Sequence, residues 1–133
     1  MARDMVRGIA ALIGLLLVTI GALGLVDNPL VGEHGLFAAS PLLDLANLAI
    51  GTAAVGLSFA RREQDVRRGL VGIGIAAIVL VAVLIADPSI AAVLAPPANP
   101  IDELVYATVG LVALGVGVLA RTTTREADVA DEW

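Results

Sequence analysis

The sequence predicts an all-α fold: an integral membrane four-helix bundle built from two parallel-repeated transmembrane hairpins. Three observations predict it. The chain holds four long runs without a charge, its arginines fall where four crossings would put them on one side, and a pattern of residues recurs 59 positions along the chain.

The runs come first. Between Arg7 and Asp27 lie 19 uncharged residues; Asp44 to Arg61 encloses 16, Gly69 to Ala86 spans 18 and Glu103 to Arg121 encloses 17. A hydrocarbon core of about 30 Å needs roughly 17–25 helical residues. The spacing therefore predicts spans over about 8–26, 42–60, 69–86 and 102–120. They are read as helices because lipid cannot satisfy exposed backbone groups, and no barrel-like alternation of polarity is present. The first run is longer than the roughly 7–15-residue core of a signal peptide, so it is read as a retained span. At 133 residues, 59% of them hydrophobic and with mean hydropathy +0.95, the chain has more apolar surface than a soluble globule of this size buries.

Charge orders the spans. The basic residues are all arginine: Arg3 and Arg7, then Arg61, Arg62, Arg67 and Arg68, then Arg121 and Arg125. Four crossings put these three groups on one side, and Asp27, Glu33, Asp44, Asp87, Asp102 and Glu103 on the other. The positive-inside rule then predicts a multi-pass protein of the cell membrane with both termini cytoplasmic. Arg7 and Arg68 stand at helix starts, where they anchor to headgroups. Residues 1–125 form the four-helix domain, and 126–133 form an acidic cytoplasmic tail expected to be solvated and disordered. The outer segments, Asp27 to Ser40 and Asp87 to Asn99, are apolar and read as surface-lying helices or re-entrant loops. The lysine-free, acidic, Ala/Val/Gly-rich composition resembles that of salt-adapted archaeal proteins.

The repeat pairs Pro41 with Pro100, Asp44 with Glu103, Leu45 with Leu104, Gly51 with Gly110, Ala54 with Ala113, Gly56 with Gly115 and Arg62 with Arg121. The first and third runs align less regularly, Arg7-Gly8 against Arg68-Gly69 and Asp27 against Asp87. Both hairpins enter from the same side, so the pseudo-twofold axis runs along the membrane normal. Small residues at helix-contact spacing mark expected packing faces: Gly14 and Gly21; Thr52, Gly56 and Ala60; Gly72 and Ala76; Ala113 and Gly117.

Composition excludes several functions. Without cysteine, no disulfide, thiolate site or thiol nucleophile forms, and a lone His34 cannot build a multi-histidine metal or haem site. The net charge of -5 argues against nucleic acid. No phosphate-binding glycine loop or nucleophile elbow occurs. No catalytic residue, metal ligand or cofactor is expected. The candidate site is a polar or ion site at the outer ends of the second and fourth helices. Asp44, Asn47 and Gly51 share one helix face, Glu103, Tyr106 and Gly110 repeat the spacing, and Asp102 adjoins them. If the two helices meet, three carboxylates, an amide and a phenol converge to bind a cation or relay a proton. The competing reading is local: Ser40-Pro41 and Asn99-Pro100 are N-caps followed by proline, and the acids complement helix dipoles.

The stretches HGLFAASPLLDLANLAIGTAAVGL and NPIDELVYATVGLVALGVGVL resemble an uncharacterised prokaryotic four-helix membrane family, a domain of unknown function with a duplicated helix-opening pattern of Asn-Pro, an acid or histidine, a polar residue and glycine. The resemblance implies the fold and no established activity. Where the family pattern has histidine, this chain has Asn47 and Tyr106. The leading expectation is a non-enzymatic structural or accessory membrane component. Its partners would be the lipid bilayer and a second copy or another membrane protein. The alternatives are a small transporter or channel using the carboxylates, and an accessory subunit of a membrane oxidoreductase.

Overall fold

The computed structural model describes residues 2–26, 40–87, 89–90 and 100–130. Four α-helices make up nearly all of this: α1 (Ala2–Gly24), α2 (Pro41–Ser58), α3 (Glu63–Ala86) and α4 (Pro100–Ala130). All four are long and apolar enough to cross a membrane. The outer segments over 27–39 and 91–99, with Asp27, Glu33, His34 and Asn99, lie outside the described residues, as does the end of the acidic tail.

Helix ends follow local chemistry. Ser40, in extended backbone, caps α2: its hydroxyl accepts from the Leu43 N–H at 3.5 Å, and Pro41 takes the first helical position, where no N–H is needed. α2 stops as Phe59 N–H donates to Gly56 O and Ala60 N–H to Leu57 O. α3 begins at Glu63, six residues before the uncharged run. Glu63 and Asp65 lie in its first turn, where they favour the positive end of the dipole, so the turn between α2 and α3 shrinks to 59–62. α4 continues ten residues past the expected end of its span, through positions read from sequence as the start of a disordered tail. After Gly117 that stretch holds neither glycine nor proline to stop it.

α1 packs antiparallel on α2, and α3 on α4, more closely than any other pair. Glycines set both approaches. A Cβ built on Gly14 would meet Gly51 O and Val55 N at 2.7 Å; one on Gly74 would meet Leu114 N at 2.8 Å and Gly110 O at 2.9 Å. Gly51 in turn faces Val18 and Gly14, and Gly110 faces Ile78 and Gly74. Gly21 meets Asp44 O and Leu48 N, and Gly117 meets Val71 and Arg67 O. By contrast, a Cβ at Gly56 or Gly72 would meet nothing within 4 Å. Gly56 and Gly72 themselves therefore make no close helix contact among the described residues.

The four helices share one core: Val6, Ala10, Ile13 and Leu17 of α1, Leu43 of α2, Val66 and Leu70 of α3, and Tyr106, Val109 and Ala113 of α4. Large apolar side chains also cover the outside of every helix, among them Leu12, Leu45, Ile75, Leu104 and Leu111. Hydroxyls on these outer faces turn inward to their own backbone: Thr19 Oγ1 donates to Leu15 O, Thr52 Oγ1 to Leu48 O and Thr108 Oγ1 to Leu104 O at 2.7–2.8 Å. Such back-bonding hides a polar group where the surroundings offer no partner.

Candidate functional site

One end of the bundle gathers the α1 start, the α2 end, the α3 start and the far part of α4. Arg7, Arg61, Arg62, Arg67 and Arg68 lie there. The candidate polar residues stand at the opposite end, where α2 and α4 begin.

α2 brings Asp44, Asn47 and Gly51 to one buried face, as their spacing requires. Asn47 and Tyr106 meet across the bundle, the amide nitrogen donating to the phenol oxygen at 2.7 Å. Both are almost sealed, with 4% and 5% of their surfaces exposed. The sequence pairs these positions at an offset of 59, and the hydrogen bond joins them directly.

Asp44 is more deeply enclosed, only 2% exposed. Its backbone N–H donates to Ser40 O at 2.8 Å, and its carboxylate accepts from the Ser40 N–H, so cap and acid hold each other. Gly24 of α1 lies directly against the carboxylate; any side chain there would overlap it. Asp44 Oδ2 is buried and has no hydrogen-bond partner among the described residues. Asp102, 7% exposed, stands close enough to act electrostatically on both Asp44 and Tyr106.

Glu103 departs from the expected arrangement. It is only half-buried, and Asp102 takes the inward position on α4. The inward row on α4 steps from Asp102 to Tyr106 to Gly110 in fours, whereas the row on α2 steps by three and then four. Among the described residues, no three acidic or histidine side chains gather as a metal-binding group. The site is thus two buried carboxyls beside an amide–phenol pair. Beside the pair lies a small cavity of about 50 Å³, lined by Asn47 and Tyr106 and otherwise by apolar residues including Leu17, Ile50, Ala77 and Val109.

Two contacts outside this cluster go beyond the sequence reading, which gives Arg7 a headgroup-anchoring role and Asp87 a place among the outer acids. At the arginine end, Arg7 reaches across to α2 and donates through Nη2 to Ala60 O at 2.6 Å and to Arg61 O at 3.5 Å. Just beyond α3, the Asp87 carboxylate accepts from the Ser89 hydroxyl and N–H and from the Ile90 N–H, which holds its carboxyl below the ordinary value of 3.8. Asp-Pro-Ser is a legible turn-opening signal for the latter. No local pattern announces the former. The chain matches no protein-family model, no curated protein and no solved structure.

Proposed function

We propose that this chain is a four-span membrane protein with cytoplasmic termini, formed by duplication of a two-helix hairpin, and that it serves as a non-enzymatic structural or accessory component. The observation that carries this reading is the Asn47–Tyr106 hydrogen bond, which engages the two central polar side chains in joining one hairpin to the other. The matching contacts of Gly14 with Gly51 and Val55, and of Gly74 with Gly110 and Leu114, support the duplication. Separation of the arginines from Asp44, Asp87 and Asp102 along the bundle supports the orientation. The small size of the cavity beside Asn47 and Tyr106, lined mostly by apolar residues, favours a packed bundle over a conduit. The open faces around Gly56 and Gly72 suit a second copy or another membrane protein, since small residues admit close helix approach. This reading keeps the chain beside the four-helix family that its helix-opening pattern resembles.

A second reading, a small ion- or proton-coupled transporter, is favoured by Asp44 Oδ2. A buried carboxylate oxygen without a donor is costly unless a proton or cation accompanies it. Flux assays on reconstituted liposomes, paired with native-membrane pull-down and mass spectrometry, separate the two. The structural reading predicts one stoichiometric partner, or a defined oligomer, and no flux above empty liposomes. Cation or proton flux that disappears in Asp44→Asn and Asp102→Asn would assign the transporter reading instead.

A further inference from the structure

The two hairpins treat one conserved-looking contact differently, and the difference leaves a cationic cavity. Contacts align α1 with α3 at an offset of 60: Gly14 with Gly74, Val18 with Ile78, and the fully buried Val6 with Val66. Arg67, rather than Arg68, therefore occupies the place of Arg7. Arg7 finds acceptors because α2 ends at Ser58 and frees the carbonyls of Ala60 and Arg61. The helix facing Arg67 does not end. α4 runs on to Ala130, and its carbonyls at that level are used within the helix. Arg67 Nε is buried without a partner among the described residues, as is Arg7 Nε, but no carbonyl at a helix end is offered to the Arg67 guanidinium as Ala60 O is to Arg7.

Beside Arg67 lies a cavity of about 200 Å³ walled by Gln64, Arg67, Arg68, Val71 and Gly117. Among the described residues, none that lines it is acidic. Gln64, Arg67 and Arg68 fall on one face of the first turns of α3, three and four residues apart. Gly117 stands where α2 has Ser58, so at that position α4 brings no side chain into the cavity. Each guanidinium offers five N–H donors and no acceptor, in a planar fork that fits phosphate oxygens. Exposed Ile75 and Val79 of α3, on the helix face of Arg68 and Val71, continue from the cavity along the bundle's apolar exterior.

We propose that this cavity binds the phosphate of an anionic phospholipid headgroup, with Arg67 and Arg68 as charged donors and Gln64 as a neutral one, while the acyl chains lie along α3. The proposal rests on the membrane reading above. A free phosphate anion would use the same donors, and the apolar track favours the lipid.

Native mass spectrometry of the full chain in mild detergent, with phosphatidylglycerol or phosphatidylcholine added, tests the proposal. The wild type retains phosphatidylglycerol in preference to phosphatidylcholine. Arg67→Gln with Arg68→Gln weakens retention roughly thirtyfold, at the strength typical of two interfacial arginines. Arg61→Gln with Arg62→Gln removes equal charge from the same end and leaves retention unchanged. Gln64→Glu, at an exposed position that folding does not need, lowers retention severalfold with both arginines in place. Equal loss in the two double variants, or full retention in Arg67→Gln/Arg68→Gln, would overturn the site. Inorganic phosphate that binds without lipid and displaces phosphatidylglycerol at millimolar concentration would overturn the headgroup assignment. Failure of the membrane reading is seen separately, as a chain that stays monodisperse without detergent.

Discussion

Asn47 and Tyr106 show why a polar pair can sit inside an apolar bundle. Each satisfies the other, so neither is an orphan, and the bond has a single geometry that fixes how α2 meets α4. Interhelical hydrogen bonds in membrane proteins contribute modestly, about 0.6–2 kcal/mol. Removing one partner strands the other. Tyr106→Phe should therefore destabilise the bundle by about 1–2 kcal/mol in detergent-based unfolding, and Asn47→Leu combined with Tyr106→Phe should cost less than the two single changes together. Strict additivity would mean that the bond contributes nothing. Asp87 gives a second prediction at this scale. Its folded carboxyl lies below 3.8, so the turn it holds is complete above that pH and is lost as pH falls through the lowered value. The Ser89 amide resonance should titrate with a midpoint below 3.8, and in Asp87→Asn that acid-range shift should vanish.

Among the elements, glycine sorts the tight faces from the open ones. Gly14 and Gly74 sit where opposing backbones leave no space for a side chain. Gly14→Leu or Gly74→Leu must push a helix pair apart and should cost about 1–3 kcal/mol or more. Gly56→Leu and Gly72→Leu should leave the monomer's unfolding unchanged, and a shift in oligomeric mass in either would locate a partner face. Sequence spacing alone does not separate these classes, because every face of a membrane helix is apolar and small residues are scattered round it. What the residues do announce is what local chemistry decides: Ser40-Pro41 as a cap, Asp44, Asn47 and Gly51 as one face, and four charge-free runs as four helices. The inward turn of Asp102 in place of Glu103 depends on the angle between packed helices. The continuation of α4 runs through a stretch without glycine or proline, whose charge alone suggested solvation. Arg7 reaching the end of α2 spans more than fifty residues of chain, beyond any local signal.

As a whole molecule, the bundle is inside-out by the standards of a soluble protein. Its core is narrow and its large side chains face outward on every helix. An exterior this apolar is stable only against hydrocarbon or against other protein. The described arginines of α1, α3 and the turn before it gather at one end of the bundle, with Asp44, Asp87 and Asp102 at the other, which gives orientation a second, independent readout. The chain has no cysteine, so single cysteines placed at Arg62 and at Ser89 can be labelled from outside intact cells. Ser89→Cys should react with an impermeant maleimide, and Arg62→Cys should react only after the membrane is opened.

The measurement that bears most directly on the account is partition after an alkaline wash of the membranes, followed by sizing with and without detergent. A four-span bundle stays in the washed membrane pellet, is extracted only by detergent and aggregates when detergent is withdrawn. A chain released by the wash and eluting as a single discrete species in plain buffer would contradict it.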